Sequence, residues 1–253
     1  MDPNLEGKVA VVTGGSRGIG LATAEALVRH GARVAIGSRN AAELSKASNA
    51  LGKLAPSRAE GVVTDVRDCS QVERLVARAE EVFGGVDILV NNAGIGIFRP
   101  IDQMAPEEWD DVIRTNLSGC FYGLRAAVPR MKRRGGGYIF NISSLAGKNA
   151  FAGGAAYNAS KFGLNGFSEA AMLDLRYDNI RVSYIMPGSV ETDFGHPGGH
   201  PGGSHGAKHE PGRKSTWRID SAEVAQVVID LLRTDPKIMI SRVEMRPSQP
   251  PRK

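Results

Sequence analysis

Short apolar runs recur along the chain and predict the strands of a sheet. Seven runs rich in Val, Ile and Ala lie at "KVAVVT", "RVAIGS", "GVVTD", "DILVNN", "GYIFNIS", "RVSYIM" and "KIMISRVEM". Between most of them, as in "IGLATAEALVRH" and "SQVERLVARAEEVF", apolar residues recur at the spacing of an amphipathic helix. Unbroken apolar strands that alternate with helices are typical of a parallel sheet buried on both faces. The pattern therefore predicts an α/β fold, a doubly wound, Rossmann-type parallel sheet with helices on both faces.

The length of the chain and this alternation fit one domain. The 253 residues suffice to bury a substantial core. We therefore expect residues 1–253 to form a single domain. Ligands of such sheets bind at the carboxyl ends of the strands, so the residues that follow each strand are the candidates for a site.

One segment, "PGSVETDFGHPGGHPGGSHGAKHEPGRKSTWR" at 187–218, has too many Gly and Pro residues to be a helix or strand throughout. We expect a substrate loop at about 188–218 that is mobile until ligand binds. It contains four of the five histidines of the chain: His196, His200, His205 and His209. A metal site is the alternative that these histidines raise. We expect no metal, because no cysteine or regularly spaced carboxylate completes a ligand set.

Composition and charge are those of a globular protein and argue against membrane and nucleic-acid partners. The chain is 42% apolar and 23% charged, as globular proteins are. It has no run of ~18 apolar residues, and no basic segment followed by an apolar core at its start, so we expect a cytoplasmic location and no membrane partner. The net charge of +5 comes from cations spread along the chain, so we expect no nucleic-acid partner. Cys69 and Cys120 lack CxxC spacing, which fits a reducing compartment.

A glycine-rich segment, "TGGSRGIG", lies between the first predicted strand and the first predicted helix. Glycines there allow a tight turn and a close approach of backbone to pyrophosphate, and the helix N-terminus attracts anions. A glycine-rich turn without ligand is the alternative, since such a loop alone is a weak signal. The candidate cofactor-binding residues of this loop are Gly14, Ser16, Arg17, Gly18, Ile19 and Gly20.

The end of the second strand predicts which dinucleotide binds. A site for NAD presents Asp or Glu there to the ribose 2'-hydroxyl, but this chain has Ser38 and Arg39. Arg17 and Arg39 together are suited to a 2'-phosphate, which favours NADP(H). The alternative is that Arg39 only points into solvent.

The stretch "YNASK" places Lys161 four residues after Tyr157, on one face of a helix. A phenol with a pKa near 10 is a poor proton donor or acceptor at pH 7. An ammonium at ~5 Å stabilises the phenolate by roughly 3 kcal/mol at an effective dielectric of ~20, or about two pKa units. We therefore expect Lys161 to lower the pKa of Tyr157 toward the range of general acid/base catalysis.

Several motifs in a fixed order make the chain resemble the short-chain dehydrogenase/reductase family. They are "TGGSRGIG", "NNAG", the Asn of "TNLSG", the second serine of "NISS", "YNASK" and "PGSVET". The resemblance runs from about Gly7 to Asp193 and includes the final helix and strand. It implies a hydride transfer between a nicotinamide and a carbonyl or secondary alcohol.

The resemblance implies four catalytic residues. Tyr157 is expected to protonate the carbonyl oxygen, and Lys161 to hold the nicotinamide ribose. Ser144 is expected to donate a hydrogen bond to the same oxygen, and Asn116 to hold a water that links Lys161 to solvent. Taken singly they have structural alternatives: Ser143 and Ser144 as the end of a strand, and Asn116 as a helix-bending polar residue.

Further residues resemble cofactor contacts of the family. Their alternatives are ordinary strand ends and a Pro-Gly turn. The expected adenine, ribose and nicotinamide contacts are, in chain order, Asp65, Val66, Asn92, Ala93, Gly94, Tyr157, Lys161, Pro187, Gly188, Val190 and Thr192.

The function expected from these residues is an NADPH-dependent oxidoreductase acting on a small carbonyl or alcohol. A 3-oxoacyl thioester is one substrate class, although the ending "SRVEMRPSQPPRK" lacks the glycine-rich strand end usual in those reductases. The alternatives are an NADP-dependent alcohol or sugar dehydrogenase and a non-enzymatic nucleotide-sensing protein. Excess apolar surface on the two longest helices predicts a homodimer or homotetramer, as family members commonly pair these helices.

Overall fold

The structure, a computed structural model, describes residues 4–192, 194 and 215–250. Within these residues seven strands form one sheet in the order β3-β2-β1-β4-β5-β6-β7, and every neighbouring pair is parallel. The strands are β1 Val9–Thr13, β2 Arg33–Ser38, β3 Ala59–Val63, β4 Ile88–Asn91, β5 Gly137–Ile142, β6 Ile180–Pro187 and β7 Arg242–Met245. The predicted doubly wound, Rossmann-type sheet is confirmed.

Seven α-helices of the described chain connect the strands. They are α1 Gly18–Arg29, α2 Ala41–Leu54, α3 Cys69–Phe83, α4 Pro106–Ile113, α5 Gly119–Arg133, α6 Ala155–Leu175 and α7 Ser221–Leu232. Buried residues of α1, α2 and α7 pack on one face of the sheet, and those of α3, α5 and α6 pack on the other. None of these helices is long and apolar enough to cross a membrane.

Strand β1 explains why the apolar runs are unbroken. Ala10 and Val12 pack with the α1 side of the core, whereas Val9 and Val11 pack with the α3 side. Successive side chains of a strand point to opposite faces, so a strand covered by helices on both sides needs apolar residues at every position.

Strand β3 begins and ends two residues earlier than "GVVTD" predicts. It starts at Ala59, because Ala59 and Glu60 pair with β2 at the edge of the sheet, where polar residues are tolerated. It ends at Val63, because the chain turns at Asp65, whose side chain accepts from the Arg67 N–H at 3.0 Å and whose carbonyl accepts from the Asp68 N–H at 3.1 Å.

Strand β7 occupies only the second half of "KIMISRVEM". The Asp235 carboxylate accepts from the backbone N–H of Lys237 at 3.0 Å, and the Asp235 carbonyl accepts from that of Ile238 at 2.8 Å. This turn uses the donors that a longer strand needs for its ladder. The apolar run therefore overestimates the strand by five residues, and β7 begins at Arg242.

The connection between α4 and α5 is a single wide π-helical turn, Arg114–Ser118, which contains Asn116. Such turns are rare and often lie at functional sites. This irregular turn agrees with the structural alternative given for Asn116, a polar residue where the helix departs from α-helical geometry. Helix α5 ends in cationic residues and then Gly135, whose positive φ of 82° suits glycine.

Candidate active site

Six neighbouring strands end at the same edge of the sheet and bring the predicted site residues together. The glycine-rich loop follows β1, Ser38 ends β2, Asp65 follows β3, Asn92 follows β4, Ser144 follows β5, and Pro187 ends β6. Asn116 comes from the π-helical turn, and Tyr157 and Lys161 from the first turns of α6. The arrangement agrees with the expected position of a ligand in a doubly wound sheet.

The glycine-rich loop is built without room for side chains. Gly14 and Gly18 have positive φ angles of 65° and 54°. A Cβ on Gly14 would lie 2.9 Å from the Ala93 Cα, and one on Gly20 would overlap the Gly14 carbonyl. The Asn92 amide donates to the Thr13 and Gly14 carbonyls at 3.0 and 3.1 Å, which fixes the loop against the end of β4.

Helix α1 begins at this loop with its first N–H groups uncapped. Its N-cap residue, Arg17, makes no side-chain cap hydrogen bond, whereas Asn40 and Asp68 cap α2 and α3 with two backbone N–H bonds each. Unpaired N–H groups and the positive end of the helix dipole form an anion site. Gly18 and Ile19 begin this helix.

The ends of β1 and β2 form a polar corner. The Ser16 and Ser38 hydroxyls are 2.9 Å apart and hydrogen-bonded. Arg17 and Arg39 are exposed beside them, and neither forms an ion pair with another described residue. Two hydroxyls and two unpaired guanidinium groups thus converge where the ribose of a dinucleotide is expected.

Asp65, after β3, is held by a cation. Arg67 donates to both oxygens of its carboxylate, with Nη2 at 2.7 Å, and also to Asp111 of α4 at 2.6 Å. Hydrogen bonding to Arg67 holds the pKa of Asp65 below its usual range. The charge of Arg39 also lowers the pKa of Asp65, but less than Arg67 does. Val66 is buried against Gly119, at the start of α5.

Tyr157 and Lys161 lie one turn apart on α6, as predicted, with the Lys161 ammonium 5.8 Å from the centre of the Tyr157 ring. Both side chains are buried. The Lys161 Nζ donates to the Ile142 carbonyl at 2.9 Å, and the Ser144 hydroxyl lies near enough to the Tyr157 phenol to act on its pKa. A phenol, a hydroxyl and an ammonium therefore meet at the end of β5.

The expectation that Lys161 lowers the pKa of Tyr157 is wrong for the protein by itself. Burial raises the pKa of Tyr157 to about 12, against a smaller lowering by the Ser144 hydrogen bond. Burial also lowers the pKa of Lys161 to about 8. Desolvation disfavours the charged form of each group, and it exceeds the opposing effects of Ser144 on Tyr157 and of Cys120 on Lys161. The phenol is thus a protonated group at neutral pH, suited to donating a proton.

The two serines of "NISS" have different surroundings. The Ser143 hydroxyl is buried and donates to the Asn165 side chain of α6 at 2.6 Å. The Ser144 hydroxyl faces Tyr157 and also accepts from the Ala146 N–H at 3.1 Å. Only the second serine, the one expected to be catalytic, therefore reaches the phenol.

Asn116 is fully buried and bonded on both sides of its amide. Its Oδ1 accepts from the Ile95 N–H at 2.8 Å, and its Nδ2 donates to the Ile95 carbonyl and to the Ser160 hydroxyl at 2.9 and 3.0 Å. Ser160 in turn donates to the Tyr157 carbonyl at 2.7 Å. Asn116 thus ties the segment after β4 to the helix that carries Tyr157. The expected water beside Asn116 stays a prediction.

The segment after β6 crosses toward the glycine-rich loop. Gly188 donates to the Met245 carbonyl at 3.0 Å, Val190 bridges to Ile219, and Thr192 lies 3.3 Å from a Cβ placed on Gly18. Residues 195–214 of the predicted substrate loop, with all four of its histidines, lie outside the described residues. Among the described residues no cluster of His, Cys, Asp or Glu is arranged to hold a metal.

Sequence reasoning missed several residues that organise this edge. The Thr13 hydroxyl accepts from the N–H groups of Asn92 and Ala93 at 3.0 and 3.1 Å. The Asn158 amide donates to the Ala146 and Asn149 carbonyls at 2.6 and 3.2 Å. The position of Asn158 inside "YNASK" was the available signal, because a buried amide on the face of Tyr157 needs partners.

Replacing Lys161 by Met is expected to stabilise the fold while impairing the site. Folding lowers the pKa of Lys161 from 10.5 to about 8. Below pH 8, keeping this buried ammonium charged therefore costs the folded protein about 3 kcal/mol of stability. The lost bond to the Ile142 carbonyl offsets about 1 kcal/mol of that gain. The net gain of about 2 kcal/mol should shrink as the pH rises from 8 to 10.5, where the lysine of the unfolded chain also becomes neutral.

The measurement is the free energy of unfolding in denaturant at pH 7 and at pH 10 for Lys161→Met and the parent protein. Lys46→Met, on the exposed face of α2, is the control and should change little at either pH. Destabilisation by Lys161→Met at pH 7 would contradict the desolvation cost assigned to this ammonium.

Comparison with known proteins connects this geometry to a family. The profile of the family described as short chain dehydrogenase matches residues 8–200. The 3alpha-hydroxysteroid dehydrogenase of Mediterraneibacter gnavus is 37% identical over 190 residues, which cover 75% of this chain and 76% of that protein. The 3-oxoacyl-(acyl-carrier-protein) reductase FabG of Escherichia coli K12 is 40% identical over 190 residues, with the same coverage of 75% and 76%.

A solved structure extends the similarity beyond these aligned segments. The crystal structure of a metagenomic short-chain oxidoreductase in complex with NADP has a TM-score of 0.81 and 36% identity, and the match covers 98% of this chain and all of that one. The order of the motifs, the parallel sheet and the convergence of Ser144, Tyr157 and Lys161 agree with these matches. The chain belongs to the short-chain dehydrogenase family of oxidoreductases.

Proposed function

We propose that the protein is an NADPH-dependent oxidoreductase that transfers hydride between the nicotinamide and a carbonyl or secondary alcohol. The observation that carries this proposal is the buried phenol of Tyr157, with the Ser144 hydroxyl near it and the Lys161 ammonium 5.8 Å from the centre of its ring. In the family to which the chain belongs, these residue types in this order perform acid/base catalysis.

The residues at the carboxyl edge fit a dinucleotide with an extra phosphate. The loop at Gly14 and Gly20 excludes side chains, so backbone can approach a pyrophosphate at the uncapped start of α1. Arg17 and Arg39 supply the charge, and the Ser16 and Ser38 hydroxyls supply hydrogen bonds, for a 2'-phosphate. No carboxylate replaces Ser38, so the corner favours NADP(H) over NAD(H). The NADP complex of the metagenomic relative supports the same cofactor.

The remaining cofactor contacts follow from their places in the fold. We assign Asp65 and Val66 to the adenine and Asn92, Ala93 and Gly94 to the ribose side, since these residues follow β3 and β4. Lys161 holds the nicotinamide ribose, next to Tyr157. The nicotinamide contacts come from the segment after β6 and consist of Pro187, Gly188, Val190 and Thr192.

The protein side of the reaction uses three groups. When bound, NADPH supplies the hydride and is oxidised to NADP⁺ as the carbonyl becomes an alcohol. Ser144 donates a hydrogen bond that orients the carbonyl oxygen. Tyr157 gives its phenol proton to that oxygen as negative charge develops on it, and the Lys161 ammonium stabilises the phenolate left behind. Asn116 keeps α6 in place through Ser160.

The substrate is a small carbonyl compound or alcohol, with a 3-oxoacyl thioester as one class and an alcohol or sugar as the other. The named relatives differ in this respect, because one acts on a hydroxysteroid and the other on a 3-oxoacyl group. A non-enzymatic nucleotide sensor is the remaining alternative. Purified protein tested with NADPH against carbonyls, and with NADP⁺ against alcohols, distinguishes these functions. Tight NADPH binding without turnover of any compound would favour the sensor.

We further propose that the chain is a single domain in the cytoplasm and that it assembles as a homodimer or homotetramer through α5 and α6. Phe121 of α5 packs against Phe167 of α6 at 6.5 Å, yet Phe121 is 48% exposed, as are Phe162 (47%) and Leu173 (58%) on α6. Apolar patches of this kind commonly mark an interface. A second copy offers the matching surface in a two-fold assembly.

Phe121→Glu is expected to dissociate this assembly. A carboxylate at the centre of a paired apolar surface has no partner and is costly to bury. Sedimentation velocity should then show a monomer, whereas Val63→Glu, on exposed edge strand β3, should leave the assembly unchanged. An unaltered sedimentation coefficient for Phe121→Glu would exclude α5 from the interface.

A further inference from the structure

Three phenylalanines from three different loops lie at the Tyr157 ring: Phe98 and Phe194 contact this ring, and Phe151 contacts Phe98. Phe98 follows β4, Phe151 follows β5 and Phe194 follows β6; we call them the aromatic cluster. The Phe98 and Tyr157 ring centres are 5.6 Å apart in an edge-on arrangement. The Phe194 and Tyr157 ring centres are also 5.6 Å apart, and the planes of these two rings are tilted by 51°. Phe151 is 5.6 Å from Phe98 and extends the wall outward.

Close packing and backbone hydrogen bonds constrain the positions of the rings in the aromatic cluster, which form one wall of the site. A Cβ on Gly96 would lie 2.6 Å from the Phe98 ring and 3.0 Å from the Phe194 ring, so Gly96 allows both rings to approach. The Phe151 N–H donates to Asn158 at 3.3 Å, and the Arg99 N–H donates to the Gly153 carbonyl at 2.8 Å. The rings are therefore held on loops whose nearby backbone groups are bonded to each other.

Among the described residues, several polar and charged groups of the segments that carry Phe98 and Phe151 already have partners. The Ile95 N–H and carbonyl are taken by Asn116. The Arg99 guanidinium pairs with Glu108 at 2.7 Å, and the Lys148 ammonium pairs with Glu244 at 2.7 Å. A substrate rich in hydroxyls would lose hydrogen bonds to water at this wall without regaining them, which is costly. The wall thus offers contact area rather than hydrogen bonds.

We propose that the aromatic cluster makes the site selective for carbonyl compounds that carry a flat apolar group, such as an aryl ring, next to the reacting carbon. The proposal rests on the proposed function, which places the carbonyl oxygen at Tyr157 and Ser144. An aryl group there would stack edge-on or offset against Phe98 and Phe151, the geometries that aromatic pairs prefer. Sugars and short hydroxylated carbonyls are disfavoured.

The test compares an aryl alkyl ketone with hydroxyacetone in the intact protein, by kcat/KM with NADPH and by calorimetric binding in the presence of NADP⁺. The parent protein should prefer the aryl ketone in both measurements. Phe151→Ala and Phe98→Leu should lower kcat/KM for the aryl ketone by on the order of tenfold and change that for hydroxyacetone less than about threefold. Tyr177→Ala is the matched control, because this aromatic residue is 92% exposed and lies just after the C-terminal end of α6.

Equal preference for the two ketones, or equal losses on both in the Phe variants, would overturn the substrate selectivity while leaving the proposed function intact. Selective binding of the aryl ketone without any NADPH oxidation would instead reject the proposed function and support the aromatic cluster as a binding site. Phe98→Leu keeps an apolar side chain in place, so a loss of activity there is not explained by unfolding.

Discussion

Tyr157→Phe is expected to lower the rate of carbonyl reduction by ~10²–10⁴-fold, the usual contribution of a general acid. NADPH affinity should stay within about threefold, because only the phenol hydroxyl is removed. The ring contacts with Phe98 and Phe194 remain in the variant. The measurements are single-turnover reduction rates and NADPH titrations monitored by fluorescence.

A control separates loss of the proton from loss of a buried hydroxyl. Tyr138→Phe removes a buried phenol that bonds Ser183 at 2.8 Å, near the other end of β5, and should keep most of the activity. If Tyr157→Phe kept most of its turnover on a good substrate, the role of proton donor would have to be given to another group.

The dependence of this reaction on pH follows from burial. The pKa of Tyr157 is about 12 in the protein, so the phenol is protonated across the neutral range. Reduction uses the protonated phenol and should stay level up to about pH 8, above which Lys161, with a pKa of about 8, loses the charge that stabilises the phenolate. Alcohol oxidation uses the phenolate and should rise with pH. The positive nicotinamide of NADP⁺ lowers the pKa of a neighbouring phenol, so the rise should begin below pH 12.

Arg39→Asp is expected to reverse or erase a preference for NADPH over NADH. Each charge-assisted bond to the 2'-phosphate contributes about 1.5–3 kcal/mol, so the two guanidinium groups together support a preference of ~100-fold or more. The new carboxylate would repel the 2'-phosphate and accept hydrogen bonds from a ribose hydroxyl instead. Dissociation constants for both cofactors, measured at two salt concentrations, test this expectation.

Arg29→Asp is the matched control, because it makes the same charge change at the exposed far end of α1. It should weaken both cofactors little and equally, since screening limits effects beyond a Debye length. Equal affinity of the unaltered protein for NADPH and NADH would reject Arg17 and Arg39 as ligands of a 2'-phosphate.

The sheet and most of its elements could be predicted from the sequence because they depend on local patterns. Strand β1 is an unbroken apolar run followed at once by a glycine-rich loop, and α3 has strict helical spacing. Errors lie where a side chain interrupts the backbone pattern. The Asp65 side chain forms the turn that ends β3, and the Asp235 side chain forms the turn that shortens β7.

The proximity of the candidate catalytic residues could also be predicted, but their electrostatics could not. The spacing of Tyr157 and Lys161 fixes their common face, and the alternation of a strand separates Ser144 from Ser143. The pKa of Tyr157 depends on how completely it is buried, which is a property of the packed loops around it. The four-residue spacing shows that the two side chains are close, but it does not show how much hydrating water they lose on folding.

The aromatic cluster had no signature in the sequence. Phe98 and Phe151 lie 53 positions apart in loops of irregular structure, and only the parallel order of β4, β5 and β6 brings them to one place. Contacts between loops depend on the topology of the sheet. Substrate specificity is therefore the property of the site that is hardest to predict from sequence patterns.

The most direct test of the central claim follows the transferred hydrogen. Reduction of an aryl ketone with NADPH deuterated at the transferable position of C4 should place one deuterium on the alcohol carbon for each NADPH oxidised. The same assay with Tyr157→Phe should yield almost no alcohol although NADPH still binds. Binding of NADPH without label in any alcohol product, or equal labelling by the parent and Tyr157→Phe proteins, would contradict a Tyr157-dependent hydride transfer.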